Sequence, residues 1–389
     1  MRKKICVVTG SRADYSLLRG LLGKIRRSQS LRLQLVVTGA HLSRSHGLTI
    51  REIIQDGFRI HARVVLPLEK SQGPTTYKSM GVALEGLGRV FARLQPHVVL
   101  LLGDRYEIFC AAAAATSLRI PLAHIHGGEV TRGALDDAYR HAITKMSHVH
   151  FTATRLARQR VIQMGEPPGN VHWVGAPGLD GIEERGRISK ADLEKLLGVC
   201  FRVKNLIVTF HPATQEKGLA LNHIRELCAA LHHFPEARIV FTGVHPDPEG
   251  VIIQKEINRF VKTHANSLCV PSLGGEAYLS LLRHVDVVVG NSSSALIEAP
   301  SVGCWALNIG SRQEGRERAA NVVDVECRRG LIRHHLDNLL RRDAARRKRR
   351  FRNPYAGRGT NQKIMKILQK MRLEKNTKKV FFEGSAHND

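Results

Sequence analysis

Val98-Val99-Leu100-Leu101-Leu102-Gly103-Asp104-Arg105-Tyr106-Glu107 decides the architecture of this chain. An unbroken run of Val and Leu cannot be a strand with one wet face; it must be covered on both sides. A glycine then turns the chain, and charged residues open a helix. Parallel strands joined by helical crossovers bury their strands in this way. The pattern recurs in both directions along the 389 residues. Strands are expected at 5–9, 33–38, 64–66, 98–102, 122–125, 148–151 and 171–174, and again at 206–210, 238–242, 268–270, 285–289, 305–309 and 321–325. Helical spacing separates them. Across 77–94, for instance, Met80, Leu84, Leu87, Phe91 and Leu94 share one helical face.

The rhythm breaks at Gly175-Ala176-Pro177-Gly178, after which a charged helix starts near Ser189. The expected fold is therefore α/β, with two doubly wound parallel-sheet domains at residues 1–177 and 178–358. A ligand is expected between the carboxyl edges of their strands. The segment 360–373 places Ile364, Ile367, Leu368 and Met371 on one face and should return to the first domain; 375–389 reads as a disordered tail.

Composition narrows the function. A hydrophobic content of 43% excludes global disorder, and no apolar run approaches the ~20 residues of a membrane helix. The start, MRKKICVVTGSRADY, lacks a secretory signal core. Seven scattered cysteines form no C-x-x-C pair, which implies neither a zinc site nor a disulfide framework and fits a reducing cytoplasm. The net charge of +26 invites a polyanion reading, but it is uneven: +13 over 1–180, +1 over 181–330 and +12 over 331–389. The densest run, 341–352, is most simply a solvated helix end, and no nucleic-acid module accompanies it.

Chemistry clusters at the strand ends. Thr9-Gly10-Ser11-Arg12-Ala13-Asp14-Tyr15-Ser16 offers a glycine turn, free N–H groups, Arg12 and Ser16 to a phosphate. It is not a dinucleotide fingerprint. Asp104 follows a buried strand directly, where burial shifts acidity, although it could equally cap the next helix. His124-Ile125-His126-Gly127-Gly128-Glu129 ends the following strand, and Asp136 and Asp137 open a helix soon after. Three consecutive segments thus bring acid/base groups to one edge. In the second half His211 follows a strand, and Gly290-Asn291-Ser292-Ser293-Ser294 reads as an anion cradle at a helix start. Glu298 is placed to reach a ribose diol, and Arg312 to reach phosphate or base. Together these features describe a nucleotide-sugar enzyme of the two-domain GT-B type.

The motifs S-R-A-D-Y, G-D-R-Y-E, H-I-H-G-G-E, D-D-A-Y-R-H-A-I-T-K-M-S, H-P and G-N-S-S-S…G-S-R-Q-E-G-R, in this order, resemble the hydrolysing UDP-N-acetylglucosamine 2-epimerases of sialic acid biosynthesis. A sister group that is equally similar acts on UDP-2,4-diacetamido-2,4,6-trideoxyglucose (UDP-N,N'-diacetylbacillosamine) toward legionaminic acid. The resemblance covers about residues 3–325. It implies no metal and no cofactor, a UDP-sugar substrate and a homo-oligomer (dimer or tetramer). It assigns Asp104, Glu129 and Asp136 as acid/base carboxylates, with Asp137 beside them. His211 is assigned to the diphosphate or sugar hydroxyls. Arg12, Ser16, Arg105, Ser292, Ser293, Glu298 and Arg312 are assigned to UDP, with the Val270 backbone at the uracil. Some relatives carry glutamate where this chain has His126, so proton handling falls to His126 or Glu129. The segment His245-Pro246-Asp247-Pro248-Glu249-Gly250 departs from the N-x-D-x-G of many relatives and receives no role.

Three other readings stand against this one. A GT-B glycosyltransferase would keep the phosphate cradle, but the three-carboxylate cluster argues against it. A polyanion binder would work through residues 341–389 alone. A non-hydrolysing epimerase would leave UDP attached to its product.

Overall fold

The computed structural model describes residues 2–45, 47–68, 76–132, 134–213, 216, 218–244, 248–271, 273–342, 351–371 and 378–383. The chain divides into two compact units: Met1–Glu129, Asp136–Asp180 and Tyr355–Asp389 form one, Val130–Leu135 and Gly181–Pro354 the other. Among the described residues no helix is long and apolar enough to cross a membrane.

In the first unit β1 (Lys3–Thr9), α1 (Arg12–Arg27), β2 (Leu31–Thr38), α2 (Ile50–Gln55), β3 (Ile60–Val64) and α3 (Thr76–Leu94) build one half of a sheet and its helices. The other half is β4 (Val98–Leu102), α4 (Tyr106–Ser117), β5 (Leu122–Ile125), α5 (Asp136–Met146), β6 (Val149–Thr152), α6 (Arg155–Gln163) and β7 (Val171–Trp173). All seven strands are parallel, in the order β3-β2-β1-β4-β5-β6-β7. The winding reverses between β1 and β4, and ligands of such sheets sit outside the carboxyl ends of the strands at that point.

The packing explains the unbroken apolar runs. Ile5, Val7, Leu100 and Leu102 point into one core, whereas Cys6, Val8, Val99 and Leu101 enter a second core on the opposite face. Both faces of β1 and β4 are therefore dry, and a polar residue at any of these positions would be stranded. Beyond β1 the chain turns into α1 through a capping box. The Asp14 amide donates to Ser11 Oγ (3.3 Å), and the Ser11 amide to Asp14 Oδ2 (3.0 Å).

The second unit contains α7 (Lys190–Leu197), β8 (Lys204–Thr209), α8 (Ala220–Leu231), β9 (Ala237–Thr242), α9 (Pro248–Thr263) and β10 (Ser267–Val270). It continues with α10 (Gly275–His284), β11 (Val287–Gly290), α11 (Ser294–Ile297), β12 (Trp305–Ile309), β13 (Val322–Val325) and α12 (Arg329–Arg341). Its six parallel strands run β10-β9-β8-β11-β12-β13, with the reversal between β8 and β11. Gly290 ends β11 at φ +127°, and a Cβ there would stand 2.0 Å from the Thr209 carbonyl oxygen. Only glycine lets β8 and β11 close at their carboxyl ends.

The last helix, α13 (Thr360–Lys370), belongs to the first unit. Its Ile364, Met365 and Leu368 enter the core that holds Leu18, Leu21 and Leu22 of α1. Lys3 Nζ donates to the carbonyls of Leu368 (2.8 Å), Gln369 (3.0 Å) and Met371 (2.6 Å), a cation at the end of the helix where its dipole is negative.

Several expectations are revised. The strand expected at 64–66 lies at Ile60–Val64, because as an edge strand it alternates inward Ala62 and Val64 with exposed Arg63 instead of running apolar. The strand expected to start at Val285 starts at Val287, since Val285 ends α10 and the Asp286 carboxylate accepts the Asn205 amide. The second unit begins at Gly181 rather than 178, ends at Pro354 rather than 358, and also takes Val130–Leu135. Residues 378–383 are not a disordered tail. Lys379 and Phe381 pack on the first unit, and the Phe382 amide donates to the Gly165 carbonyl (2.8 Å). The rest of the tail expectation, 375–377 and 384–389, lies outside the described residues, as does 343–350 of the basic run.

Candidate active site

The loops after β4 and β5 and the first turn of α5 converge on one guanidinium. Arg140 is 1% exposed, and its Nη2 pairs with Asp104 Oδ2. Its Nη1 donates to Asp137 Oδ1 (2.7 Å) and to the Glu129 carbonyl (2.8 Å). Burial works against the charge of Arg140, but Asp104, Glu129 and Asp137 outweigh it and keep the group firmly protonated. The N-cap position of α4 is Arg105 rather than Asp104, whose carboxylate pairs with Arg140. Gly103, at φ +86°, makes the turn that presents it.

His126 and Glu129 form a buried pair, 7% and 4% exposed, through His126 Nδ1 and Glu129 Oε1. In the neutral ring, the tautomer that donates from Nδ1 to Glu129 presents Nε2 as an acceptor. That Nε2 is buried and has no hydrogen-bond partner among the described residues. The backbone of His126 stands at φ +69°, a strained position for a residue with a Cβ, of the kind found at ligand sites. His124, fully buried, is different. Burial pushes its imidazole down to about 3, so it is neutral and its Nε2 donates to the Gly103 carbonyl (2.8 Å), steadying the turn before Asp104.

A second group of charges lies at the ends of β1 and β4. Arg105 Nε donates to Glu107 Oε1 (2.7 Å), and this fully buried carboxylate raises the Arg105 pKa further, with Asp14 and Asp136 adding to it. Burial pushes Asp14 up to about 6; Arg105 opposes the shift, while Glu107 and Asp104 add to it. Asp136 stands in the first turn of α5, half-buried. Arg12 pairs with Glu52 (2.9 Å), and Ser16 Oγ donates to the Ala13 carbonyl (2.8 Å). The expected ligand groups of α1 are therefore engaged within the unit.

In the second unit the switch point is closed by Asn291. Its Oδ1 accepts the His211 amide (2.8 Å), and its Nδ2 donates to the His211 carbonyl (2.7 Å). Arg312 Nη1 and Gln313 Nε2 each donate to the Asn291 carbonyl at 2.9 Å. His211 and Arg312 are thereby joined through one residue. Ser292 Oγ accepts the Ser294 amide (3.3 Å), and Ser293 precedes α11 without a side-chain cap bond. The helix expected here is only four residues long, and Glu298 ends it, so Ser292 and Ser293 stand in a short turn rather than at a strong helix dipole. Val270 ends the edge strand β10, and its carbonyl accepts the Gly243 amide (3.2 Å).

A family model described as UDP-N-acetylglucosamine 2-epimerase matches residues 23–369. The chain belongs to this family. Among its curated relatives, the hydrolysing UDP-N,N'-diacetylbacillosamine 2-epimerase of Legionella pneumophila is 36% identical over 374 residues, 96% of this chain and 97% of that protein. Polysialic acid biosynthesis protein P7 of Escherichia coli is 39% identical over 331 residues, covering 85% and 84%. The GDP/UDP-N,N'-diacetylbacillosamine 2-epimerase of Campylobacter jejuni is 35% identical over 326 residues, covering 84% and 85%. The solved UDP-GlcNAc 2-epimerase of Neisseria meningitidis shares the fold at a TM-score of 0.82 and 18% identity, over 95% of this chain and all of that one. The expected two-sheet fold and the recognised family both stand, and the chain is an enzyme of the nucleotide-sugar epimerase class.

In this member of the family, Arg140, Glu107 and Asp14 lie within the charged clusters of the first unit although the motif reading gave them no role. Arg140 had a visible signal, the i, i+3 spacing from Asp137 on one helix face. Glu107 had only its place in G-D-R-Y-E, and Asp14 only its place in S-R-A-D-Y, where the fold uses it in a capping box with Ser11.

Proposed function

We propose that this chain is a hydrolysing UDP-N-acetylglucosamine 2-epimerase, turning UDP-N-acetylglucosamine and water into N-acetylmannosamine and UDP. The observation that carries the reading is the buried His126–Glu129 pair with its unpartnered Nε2, set in the same loop cluster as Asp104 and Arg140. Proton removal from a carbon needs a base that is positioned and kept from water, and this pair is both. In the first step a base takes the proton of sugar carbon 2, a double bond forms between carbons 1 and 2, and the carbon 1–oxygen bond breaks to release UDP. In the second, water adds at carbon 1 and a proton returns to carbon 2 from the other face.

The roles divide by unit. His126 Nε2, oriented by Glu129, exchanges the carbon 2 proton; Asp104 and Asp136 serve the opposite transfer, with Arg140 fixing Asp104 and Asp137. His211, Ser292, Ser293, Glu298 and Arg312 hold the uridine diphosphate, with Val270 at the uracil; Arg12, Ser16 and Arg105 add cationic and hydroxyl groups for its phosphates. The scattered cysteines, with no C-x-x-C spacing, fit a cytoplasmic location.

A second reading is favoured by the Legionella and Campylobacter relatives, whose names specify N,N'-diacetylbacillosamine. The reaction would then be the same on UDP-2,4-diacetamido-2,4,6-trideoxyglucose. Release of UDP from each sugar nucleotide, followed under identical conditions, decides between them. The preferred substrate should exceed the other by about tenfold or more in kcat/KM, because a buried polar partner left unmatched costs 1–3 kcal/mol. No UDP release from either would overturn the whole reading.

A further inference from the structure

The segment 378–383 holds the far end of the helix whose first turn carries Asp136 and Asp137. Lys379 Nζ meets three acceptors: Glu166 Oε2 (2.6 Å) and the carbonyls of Ser147 and, more loosely, Thr144 (3.4 Å). An ammonium has three protons, so each finds a partner. Two of those acceptors lie at the C-terminal end of α5, where a helix favours a cation. The third, Glu166, is 1% exposed and also accepts from Lys145 Nζ (2.7 Å) and His150 Nε2 (3.0 Å). Burial alone would raise the Glu166 carboxyl, but the bonds from His150, Lys145 and Lys379 hold it down at about 2. An exposed lysine pair contributes little, whereas this one neutralises a buried carboxylate.

Apolar contacts seat the same segment. The Phe381 ring occupies the space over Gly165, where a Cβ would come within 2.3 Å of it, and Lys145 Nζ stands 4.8 Å from its centroid. From Lys379 a continuous set of bonds leads back to the carboxylates. The Thr144 hydroxyl lies between two acceptors, His124 Nδ1 (3.2 Å) and the Arg140 carbonyl (3.0 Å), and its one proton is shared between them; His124 Nε2 donates to the Gly103 carbonyl, and Arg140 holds Asp104 and Asp137.

We propose that Lys379 is a positioning residue for α5, set from the end of the chain: it fixes the helix by its C-terminal carbonyls so that Asp136, Asp137 and Arg140 stand in register with Asp104. The proposal rests on reading that cluster as catalytic. Full-length Lys379→Met and Lys379→Arg variants test it through amide hydrogen exchange and steady-state kinetics. In Lys379→Met, exchange across 136–147 should quicken by about tenfold while the amides of β1 and β4 keep their rates. Its kcat should fall about tenfold with KM within about twofold, and Lys379→Arg should recover most of the loss. Unchanged exchange in 136–147 overturns the proposal, as does loosening of the whole sheet with kcat and KM changing together. If neither sugar nucleotide is turned over by the parent protein, the functional reading fails, and the exchange result alone still decides whether Lys379 holds α5.

Discussion

Asp104→Asn is expected to lower kcat by about three orders of magnitude while UDP still binds with nearly its original affinity. The carboxylate follows β4 at the switch point of the first sheet, and Arg140 holds its Oδ2. Asparagine preserves the shape and one acceptor oxygen, so the loop should not rearrange; what it removes is the charge and the capacity to carry a proton. The groups assigned to UDP sit mainly in the second unit, which the substitution does not touch. Binding measured by calorimetry and turnover measured by UDP release should therefore separate. Loss of both together would refute the role of Asp104. His126→Gln should give the same separation, because glutamine offers no basic nitrogen where Nε2 stands. A variant in which His126→Gln turns over normally and Glu129→Gln does not would move the proton to Glu129.

Arg140→Met should cost about 3–5 kcal/mol of folding stability, the usual loss when one partner of a buried ion pair is removed. The methionine fills much the same volume, so cavity formation adds little. Asp104, Asp137 and the Glu129 carbonyl, however, all lose their shared donor. Arg140→Lys keeps the charge but not the fork that serves several acceptors, and should lose less. Denaturant unfolding at neutral pH reads both. A loss below about 1 kcal/mol for Arg140→Met would mean that the guanidinium is not the hub of the site.

What the sequence disclosed follows from what is local. The strands Val98–Leu102, Leu122–Ile125 and Trp305–Ile309 are legible to the residue, because each is buried on both faces and mostly apolar. At β3 that signal fails, since an edge strand shows water on one side. Asp104, His126, Glu129 and Asp137 are legible as one cluster because each lies close to a strand end or at a helix start on the same edge of the sheet. Their pairing is not. It depends on Arg140, whose partners come from three separate segments, and on an imidazole pairing that a one-letter string does not display. Arg12 shows the same limit, since its partner Glu52 lies on another helix. Lys379 is the extreme case, with a partner 213 positions away and nothing around it in sequence to announce one.

The charge of +26 illustrates how little bulk composition says about such a site. The second unit, which carries the groups assigned to the diphosphate, comes mostly from a stretch of net charge +1 over residues 181–330. What the structure gives Arg312 is a placement: its Nη1 donates to the Asn291 carbonyl at the carboxyl end of β11. The excess elsewhere can steer an anionic sugar nucleotide toward the protein, an effect that weakens as salt rises.

Hydrolysing epimerisation makes two demands that no neighbouring reaction meets together: carbon 2 must exchange its proton with solvent, and UDP must leave without returning to the sugar. The full-length protein incubated in heavy water with UDP-N-acetylglucosamine, and separately with the diacetamido analogue, should release UDP and a free manno-configured sugar carrying one deuterium at carbon 2, read by NMR and mass spectrometry. Free sugar without deuterium, or a deuterated product still attached to UDP, would contradict it.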